Sequence, residues 1–244
     1  MGDPEDDGVQ AAVAGRLPGA AALGLVAPPT ATVVPGTALA DPAWTAQVLA
    51  DRAVRQRTSD RRVLATLWWY SVSSVLLTPV LAGLVAGRPL SPRLADTRLH
   101  LLSGSVPVAA TTRAAGTGDL GEELRAGLAA VVGAVAEAGG VRPRPLWAIA
   151  TDSLANRLLD LGRVIGDVGA VTALAGPLAA AVGAPLLAPR YVDVRRPDGG
   201  AARFTSRVSC CLAYRVPYEV LCTSCPRRPP AERQVLLEDA ATRF

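Results

Sequence analysis

The chain has 244 residues, half of them apolar, so it can bury a sizeable core as one large domain or two small ones. Its formal net charge of +4 is modest, and its basic residues, all of them arginine, are spread along the chain among acidic ones. Nucleic-acid binders usually concentrate basic residues on one face, so we expect no nucleic acid as a partner.

Residues 1–40 start with an acidic stretch and continue with a segment rich in Ala, Gly and Pro. This composition predicts a poorly ordered tail with at most one short helix. A secretory signal would need basic residues followed by an apolar run, and the acidic start does not provide them. We therefore expect a cytoplasmic protein.

Residues 41–189 predict a mainly helical body. Asp41 before Pro42 is typical of a helix start, with Asp as the N-cap and Pro at the first helical position. The single histidine, His100, is predicted to face solvent on a short strand and to bind no metal. Apolar spacing predicts that strand at 98–101 and further helices over 119–138, around 147–161 and over 167–182.

The segment from Val63 to Gly87 carries no charge and is long enough to cross a bilayer. Its serines, Pro79 and the inner pair Trp68–Trp69 are poorly suited to a lipid-facing helix, where aromatic residues prefer the two interfaces. We favour a buried core helix, or two helices broken near Pro79, over a membrane span. At most, peripheral membrane association is expected.

The pattern changes in residues 190–244. Alternating apolar residues on either side of Asp198–Gly200 predict a β-hairpin, and a short helix is predicted over 232–242. The predicted fold class is α+β: a mostly helical body with a C-terminal β-hairpin that leads into a four-cysteine metal-binding segment.

All four cysteines of the chain lie in that segment, at Cys210, Cys211, Cys222 and Cys225. Cysteines confined to one short stretch most simply form one site, and four thiolates are a full ligand set for zinc or an iron–sulfur cluster. The two residues between Cys222 and Cys225 allow both sulfurs to turn to one centre. Neighbouring strand residues point to opposite faces, so Cys210 and Cys211 can share a centre only if the backbone bends or the centre is wide.

The motif Cys-Cys, ten residues, Cys, two residues, Cys, followed by Pro226, resembles the C-terminal signature of the FhuF-type ferric-siderophore reductases. The surrounding stretch 207–217 is similar in character. Weaker likeness extends to the helix start at Asp41, to the apolar run that ends near Pro92, and to the helix that contains Trp147.

This resemblance implies that the four cysteines hold a 2Fe–2S cluster, with no catalytic side chain beyond the cluster ligands. It also implies one-electron reduction of Fe(III)–siderophore complexes, which releases Fe(II) for use in the cell. The sequence contains no nucleotide-binding Gly-rich motif in the required setting, so the electron must come from an external donor such as a ferredoxin or flavodoxin.

Five arginines lie between residues 201 and 228, against a single acid, Glu219. They could stabilise a reduced cluster and steer an anionic partner or substrate toward it, or they could simply form the solvated face of the hairpin. The candidates for steering are Arg207, Arg215, Arg227 and Arg228.

Two other interpretations remain open at the level of sequence. One is a non-catalytic protein in which a structural zinc knuckle with four cysteine ligands supports partner binding. The other is a membrane-associated redox protein with residues 63–87 in the bilayer. Visible absorption separates iron–sulfur from zinc, and fractionation without detergent tests the membrane alternative.

Overall fold

The computed structural model describes residues 8–243. The helices in chain order are α1 (Gly8–Ala14), α2 (Pro42–Gln56), α3 (Arg61–Val85), α4 (Leu120–Gly139), α5 (Pro143–Ile165), α6 (Val168–Ala173), α7 (Ala175–Val182) and α8 (Pro230–Ala241). The strands are β1 (Thr32–Pro35), β2 (Thr97–Leu102), β3 (Val106–Thr112), β4 (Tyr191–Arg195) and β5 (Ala201–Thr205). The main core lies among α2, α3, α4 and α5.

Acidic N-caps fix where α2 and α4 begin. The Asp41 carboxylate accepts a hydrogen bond from the Ala43 N–H at 2.8 Å, and Asp119 accepts one from Glu122 at 2.9 Å. Each bond satisfies a backbone donor that has no partner within the first helical turn. α4 ends at Gly140, which adopts the left-handed conformation with φ of 61°. These boundaries confirm the helix start predicted at Asp41 and the helix predicted over 119–138.

The uncharged segment forms α3, the central helix of the body. It is long and apolar enough to cross a membrane, but 67% of its most apolar window is buried inside the fold. Trp68 and Trp69 are fully buried, and the helix does not end at Pro79. The structure therefore shows the single buried core helix, and the alternative of two separate helices is wrong.

Hydrogen bonds join α3 to α5 inside the core. The indole N–H of Trp69 donates to the Leu146 carbonyl at 2.7 Å, and the hydroxyls of Ser73 and Ser153 lie 2.7 Å apart. Two of the residues that argued against a lipid-facing helix, Trp69 and Ser73, thus have hydrogen-bond partners on α5, while Ser71 and Thr78 donate to carbonyls of α3 itself.

The body also contains a three-stranded antiparallel sheet in the order β1–β2–β3. The sequence predicted β2 but neither of its neighbours. His100 on β2 is only 8% exposed, and its Nε2 lies 2.9 Å from the Thr111 hydroxyl on β3. The expectation that His100 faces solvent was wrong, since its side chain is buried and contacts Thr111 on the neighbouring strand.

Residues 8–40 are part of the fold rather than a poorly ordered tail; residues 1–7 lie outside the described part of the chain. Val13 and Leu39 are fully buried in the main core. The Gln10 amide donates to the Leu25 carbonyl at 2.8 Å and accepts from the Thr112 N–H at 2.8 Å. These contacts tie the segment to β3, so the prediction of a tail is corrected for residues 8–40.

The C-terminal part forms the predicted hairpin of β4 and β5, which turns at Gly199 with φ of 87°. α8 packs on it through Leu237 and Ala241. The α+β class is thereby confirmed, while the boundaries predicted after residues 40 and 189 stay predictions. The Tyr191 hydroxyl donates to the Ala155 carbonyl at 3.1 Å, which joins the hairpin to α5 and places the cysteine segment next to that helix.

Candidate metal centre

The cysteine segment leaves β5 and is held at once by a carboxylate on α5. The backbone N–H groups of Val208 and Ser209 both donate to Asp152 at 2.9 Å, and the Ser209 hydroxyl donates to it at 2.5 Å. Asp152 is 2% exposed. A buried carboxylate that accepts several hydrogen bonds strongly fixes the backbone that donates them. The backbone held by Asp152 is the stretch directly before Cys210.

The backbone bends immediately after the cysteine pair. Leu212 adopts a left-handed conformation with φ of 63° and leads into a short 3₁₀ turn. Cys211 and Leu212 pack against Val63 and Leu67 of α3. Cys210 and Cys211 themselves lie outside any strand, so the strict alternation of strand side chains does not apply to them.

The second cysteine pair lies on a tight turn, in which the Cys225 N–H donates to the Cys222 carbonyl at 3.1 Å. The sulfurs of Cys210 and Cys225 are 4.0 Å apart. All four cysteines are free; Cys211 and Cys225 are buried, Cys210 is half-buried and Cys222 is exposed. Within residues 8–243, no three His, Cys, Asp or Glu side chains are grouped closely enough to hold a metal ion.

Arg207 connects the two halves of the segment. Its Nη1 donates to the Cys222 sulfur at 3.2 Å, its guanidinium lies 5.1 Å from the centre of the Tyr70 ring, and its Nε is 3.6 Å from the Asp152 carboxylate. The Arg207 side chain is only 4% exposed. It is therefore not a surface residue that steers a partner, and its role as predicted from sequence is corrected to a contact with a cysteine sulfur.

Burial and charge act on the ionisable groups of this segment. Partial desolvation by the surrounding residues raises the pKa of the Cys210 thiol and also that of the Cys222 thiol, although the Cys222 residue is exposed overall, and the Arg207 charge opposes the rise at Cys222. Burial by itself lowers the pKa of Arg207, but Tyr70, Cys222 and the other neighbouring acidic groups outweigh it and raise that pKa overall. Arg207 is thus held as a cation beside a thiol.

The donors present suit an anionic, sulfur-ligated group. Arg207 Nε and Nη2 are buried and have no hydrogen-bond partner among the described residues. Four free thiols in one segment, one of them contacted by a guanidinium that keeps two N–H groups without a hydrogen-bond partner, suit a negatively charged cluster, because thiolate ligands and bridging sulfides accept hydrogen bonds and carry net negative charge. The residues that would hold such a cluster are Cys210, Cys211, Cys222 and Cys225.

The other arginines proposed for steering differ in exposure. Arg215 is exposed and forms a loose ion pair with Asp60 at 3.8 Å. Arg227 is exposed and lies 5.4 Å from the centre of the Tyr214 ring. Arg228 is half-buried and donates to the Cys222 carbonyl at 3.0 Å and to the Leu221 carbonyl. Arg228 thus braces the loop, while Arg215 and Arg227 remain available to a partner.

The sequence did not reveal two residues of this site, Asp152 and Tyr70. Both lie on long helices, more than 50 residues from the cysteines that they help to position. The only indication in the sequence was Asp152, an acidic residue on the otherwise apolar face of α5, and it does not indicate which residues Asp152 contacts. Their assignment requires the packing of α3 and α5 against the cysteine segment.

The segment thus combines four free cysteines with a cationic hydrogen-bond donor on the Cys222 sulfur. Residues 207–227 match the family model described as the FhuF 2Fe–2S C-terminal domain. This match confirms, for that segment, the resemblance noted from the cysteine spacing. A search of curated proteins found no match to the chain.

Proposed function

We propose that the chain reduces Fe(III)–siderophore complexes by one electron, with Cys210, Cys211, Cys222 and Cys225 as the ligands of a 2Fe–2S cluster. The observation that supports this most directly is the match of residues 207–227, which contain all four cysteines, to the FhuF 2Fe–2S C-terminal domain. When bound, such a cluster supplies one-electron transfer.

The electron balance requires an external donor, for which we propose a ferredoxin or a flavodoxin. One electron leaves the donor and reaches the Fe(III) of the chelate, which becomes Fe(II). Siderophores hold Fe(III) through hard, charged oxygen atoms, and the same atoms hold Fe(II) far more weakly. Reduction therefore releases the metal for use in the cell, and no covalent intermediate is needed.

The residues around the cysteines have positioning roles in this proposal. Asp152 fixes the backbone before Cys210, and Arg207 places a positive charge and a donor on the Cys222 sulfur. Hydrogen bonds to sulfur and nearby positive charge favour the more negative, reduced form of an iron–sulfur group. The site thus supports uptake of an electron without an acid–base side chain.

The test begins with anaerobic purification followed by iron, sulfide and zinc analysis. We expect visible absorption, iron and sulfide in equal amounts, and a paramagnetic signal after dithionite. Reduction of a ferric siderophore is then followed with a coloured Fe(II) chelator, using reduced ferredoxin or dithionite as the donor.

Single substitutions sharpen this test. Cys222→Ser and Cys225→Ser should lose the absorption and the reductase activity, whereas Ser224→Ala, between the two cysteines, should keep both. Colourless protein with stoichiometric zinc would overturn the proposal in favour of the structural zinc knuckle.

A further inference from the structure

A large groove opens on the Cys210 side of the cysteine segment. Its volume is about 990 Å³, and it lies between the start of α5, residues 184–187 and the segment itself. Cys210 and Ser209 form part of its lining. A ligand in this groove would lie against one of the four proposed cluster ligands, and electron transfer slows steeply with distance.

The charged residues that line this groove are all positive. Four arginines line it, at Arg62, Arg142, Arg144 and Arg227, and no Asp or Glu is among its lining residues. All four are exposed. None of them makes an ion pair with any other residue of the described range 8–243. Unpaired cations around one concave surface attract an anionic ligand.

The remaining lining is largely apolar, with contributions from Pro145, Pro185 and Leu187. Leu187 is 48% exposed, so an apolar edge stands open beside the arginines. Siderophore chelates combine charged oxygen donors with aromatic or aliphatic arms, and a pocket with apolar walls and a few polar groups suits such a ligand.

A second opening, on the Cys222 side, is a poorer candidate for an anion. It has a volume of about 520 Å³ and is lined by Arg157, Arg207 and Asp160, among others. Its arginines already have acidic partners: Arg157 pairs with Asp160 at 2.9 Å, and Arg207 with Asp152 at 3.6 Å. Charge that is already compensated contributes little to the recognition of a further anion.

We propose that the groove with four arginines, hereafter the arginine groove, is the site of the Fe(III) chelate and that it selects chelates of net negative charge. This inference rests on the proposed function, because it supplies the location and the charge preference of that function's substrate. Bound there, the chelate accepts the electron on the Cys210 side, and its Fe(III) becomes Fe(II).

Binding can be measured apart from reduction with Ga(III), which forms chelates of the same charge as Fe(III) and is not reduced under these conditions. The probes are the Ga(III) tris-catecholate chelate, which is negatively charged, and a neutral Ga(III) tris-hydroxamate chelate. Calorimetric titration of the 244-residue chain at low salt should show tight binding of the anionic probe and clearly weaker binding of the neutral one.

The decisive comparison uses two double variants with equal charge. Arg142→Gln/Arg144→Gln removes two charges from the arginine groove, and the control Arg55→Gln/Arg61→Gln removes two exposed charges outside it. Each lost charge-assisted hydrogen bond should weaken binding roughly tenfold. The groove variant should therefore bind the anionic probe on the order of a hundredfold more weakly, and the control should bind it like the wild type.

Raising the salt concentration should shrink this difference, because exposed charges are screened within about 8 Å at physiological ionic strength. The inference would be overturned if both double variants bound the anionic probe with equal affinity, or if the wild type did not bind it at all. It would also be overturned if the groove variant lost as much affinity for the neutral probe as for the anionic one. An effect of Arg157→Gln without any effect of the groove variant would move the chelate to the Cys222 side, which also overturns it.

Failure of the inference and failure of the proposed function give different results. If the Ga(III) probe binds in the arginine groove but the iron-loaded protein reduces no Fe(III) chelate, the groove assignment stands and the reductase proposal falls. If reduction proceeds and the groove variant retains wild-type KM, the reductase proposal stands and the groove assignment falls.

Discussion

Asp152 on α5 and Arg207 in the cysteine segment form a buried ion pair at 3.6 Å, with side chains 2% and 4% exposed respectively. The pair joins the helical body to the cysteine segment, since Asp152 also accepts from Val208 and Ser209 while Arg207 donates to Cys222. A single carboxylate thus determines both the path of the backbone and the position of the guanidinium.

We predict that Asp152→Ala lowers the free energy of unfolding by about 3–5 kcal/mol, because it leaves a buried guanidinium uncompensated. Urea denaturation of the purified protein measures this change. The matched control is Asp239→Ala, which removes an exposed pair with Arg243 and should cost at most about 1 kcal/mol. Similar losses in the two variants would contradict the importance of the buried pair.

Arg207→Gln should make the reduction potential of the iron-loaded protein more negative. It removes a charge and the donor to the Cys222 sulfur, both of which favour the reduced form. Loss of about 1.4 kcal/mol corresponds to a shift on the order of 60 mV for a one-electron couple. Potentiometric titration followed by paramagnetic resonance measures it. Arg203→Gln, whose partner is Asp193 on the hairpin, should leave the potential unchanged.

Two glycines of α4 should respond in opposite directions to the same substitution. A Cβ on Gly139 would lie 2.3 Å from the Ala65 Cβ of α3, so Gly139→Ala should destabilise the protein by about 1–3 kcal/mol. Gly133 is exposed in mid-helix with nothing near its would-be Cβ, so Gly133→Ala should stabilise by about 0.5–1 kcal/mol. Thermal unfolding distinguishes them, and equal changes in both would refute the packing of α3 on α4.

Arg215 should assist the approach of an anionic partner. Its side chain is 48% exposed and only loosely paired with Asp60. Arg215→Gln should slow electron transfer from reduced ferredoxin more at low salt than at high salt, because exposed charges are screened by ions. Arg195→Gln, on the exposed side of the hairpin, is the control. An equal loss at both salt concentrations would exclude steering by Arg215.

The sequence predicted the helices best where local signals agree with packing. Asp41 and Asp119 are N-caps in the structure, and apolar spacing located the helices that follow them. β1 was missed because its four residues carry little pattern of their own and depend on pairing with β2. Residues 8–40 have a composition typical of disorder, yet a few side chains such as Val13 and Leu39 are enough to tie them to the core.

The candidate site was predictable only in part. The four cysteines and their spacing stand in the sequence, whereas the burial of Arg207 follows from contacts with Asp152 and Tyr70 on two distant helices. Local sequence reports which residues are available as ligands. Long-range packing decides which charges face them, and no single-sequence pattern encodes that.

The four thiols are protected to very different degrees: Cys211 and Cys225 are 7% and 2% exposed, while Cys222 is open to solvent. In protein that lacks its metal, alkylating reagents should therefore mark Cys222 first. The same position is where incoming iron would first meet the chain and where oxidants would begin their damage. Assembly and loss of the cofactor would then both begin at Cys222, next to Arg207.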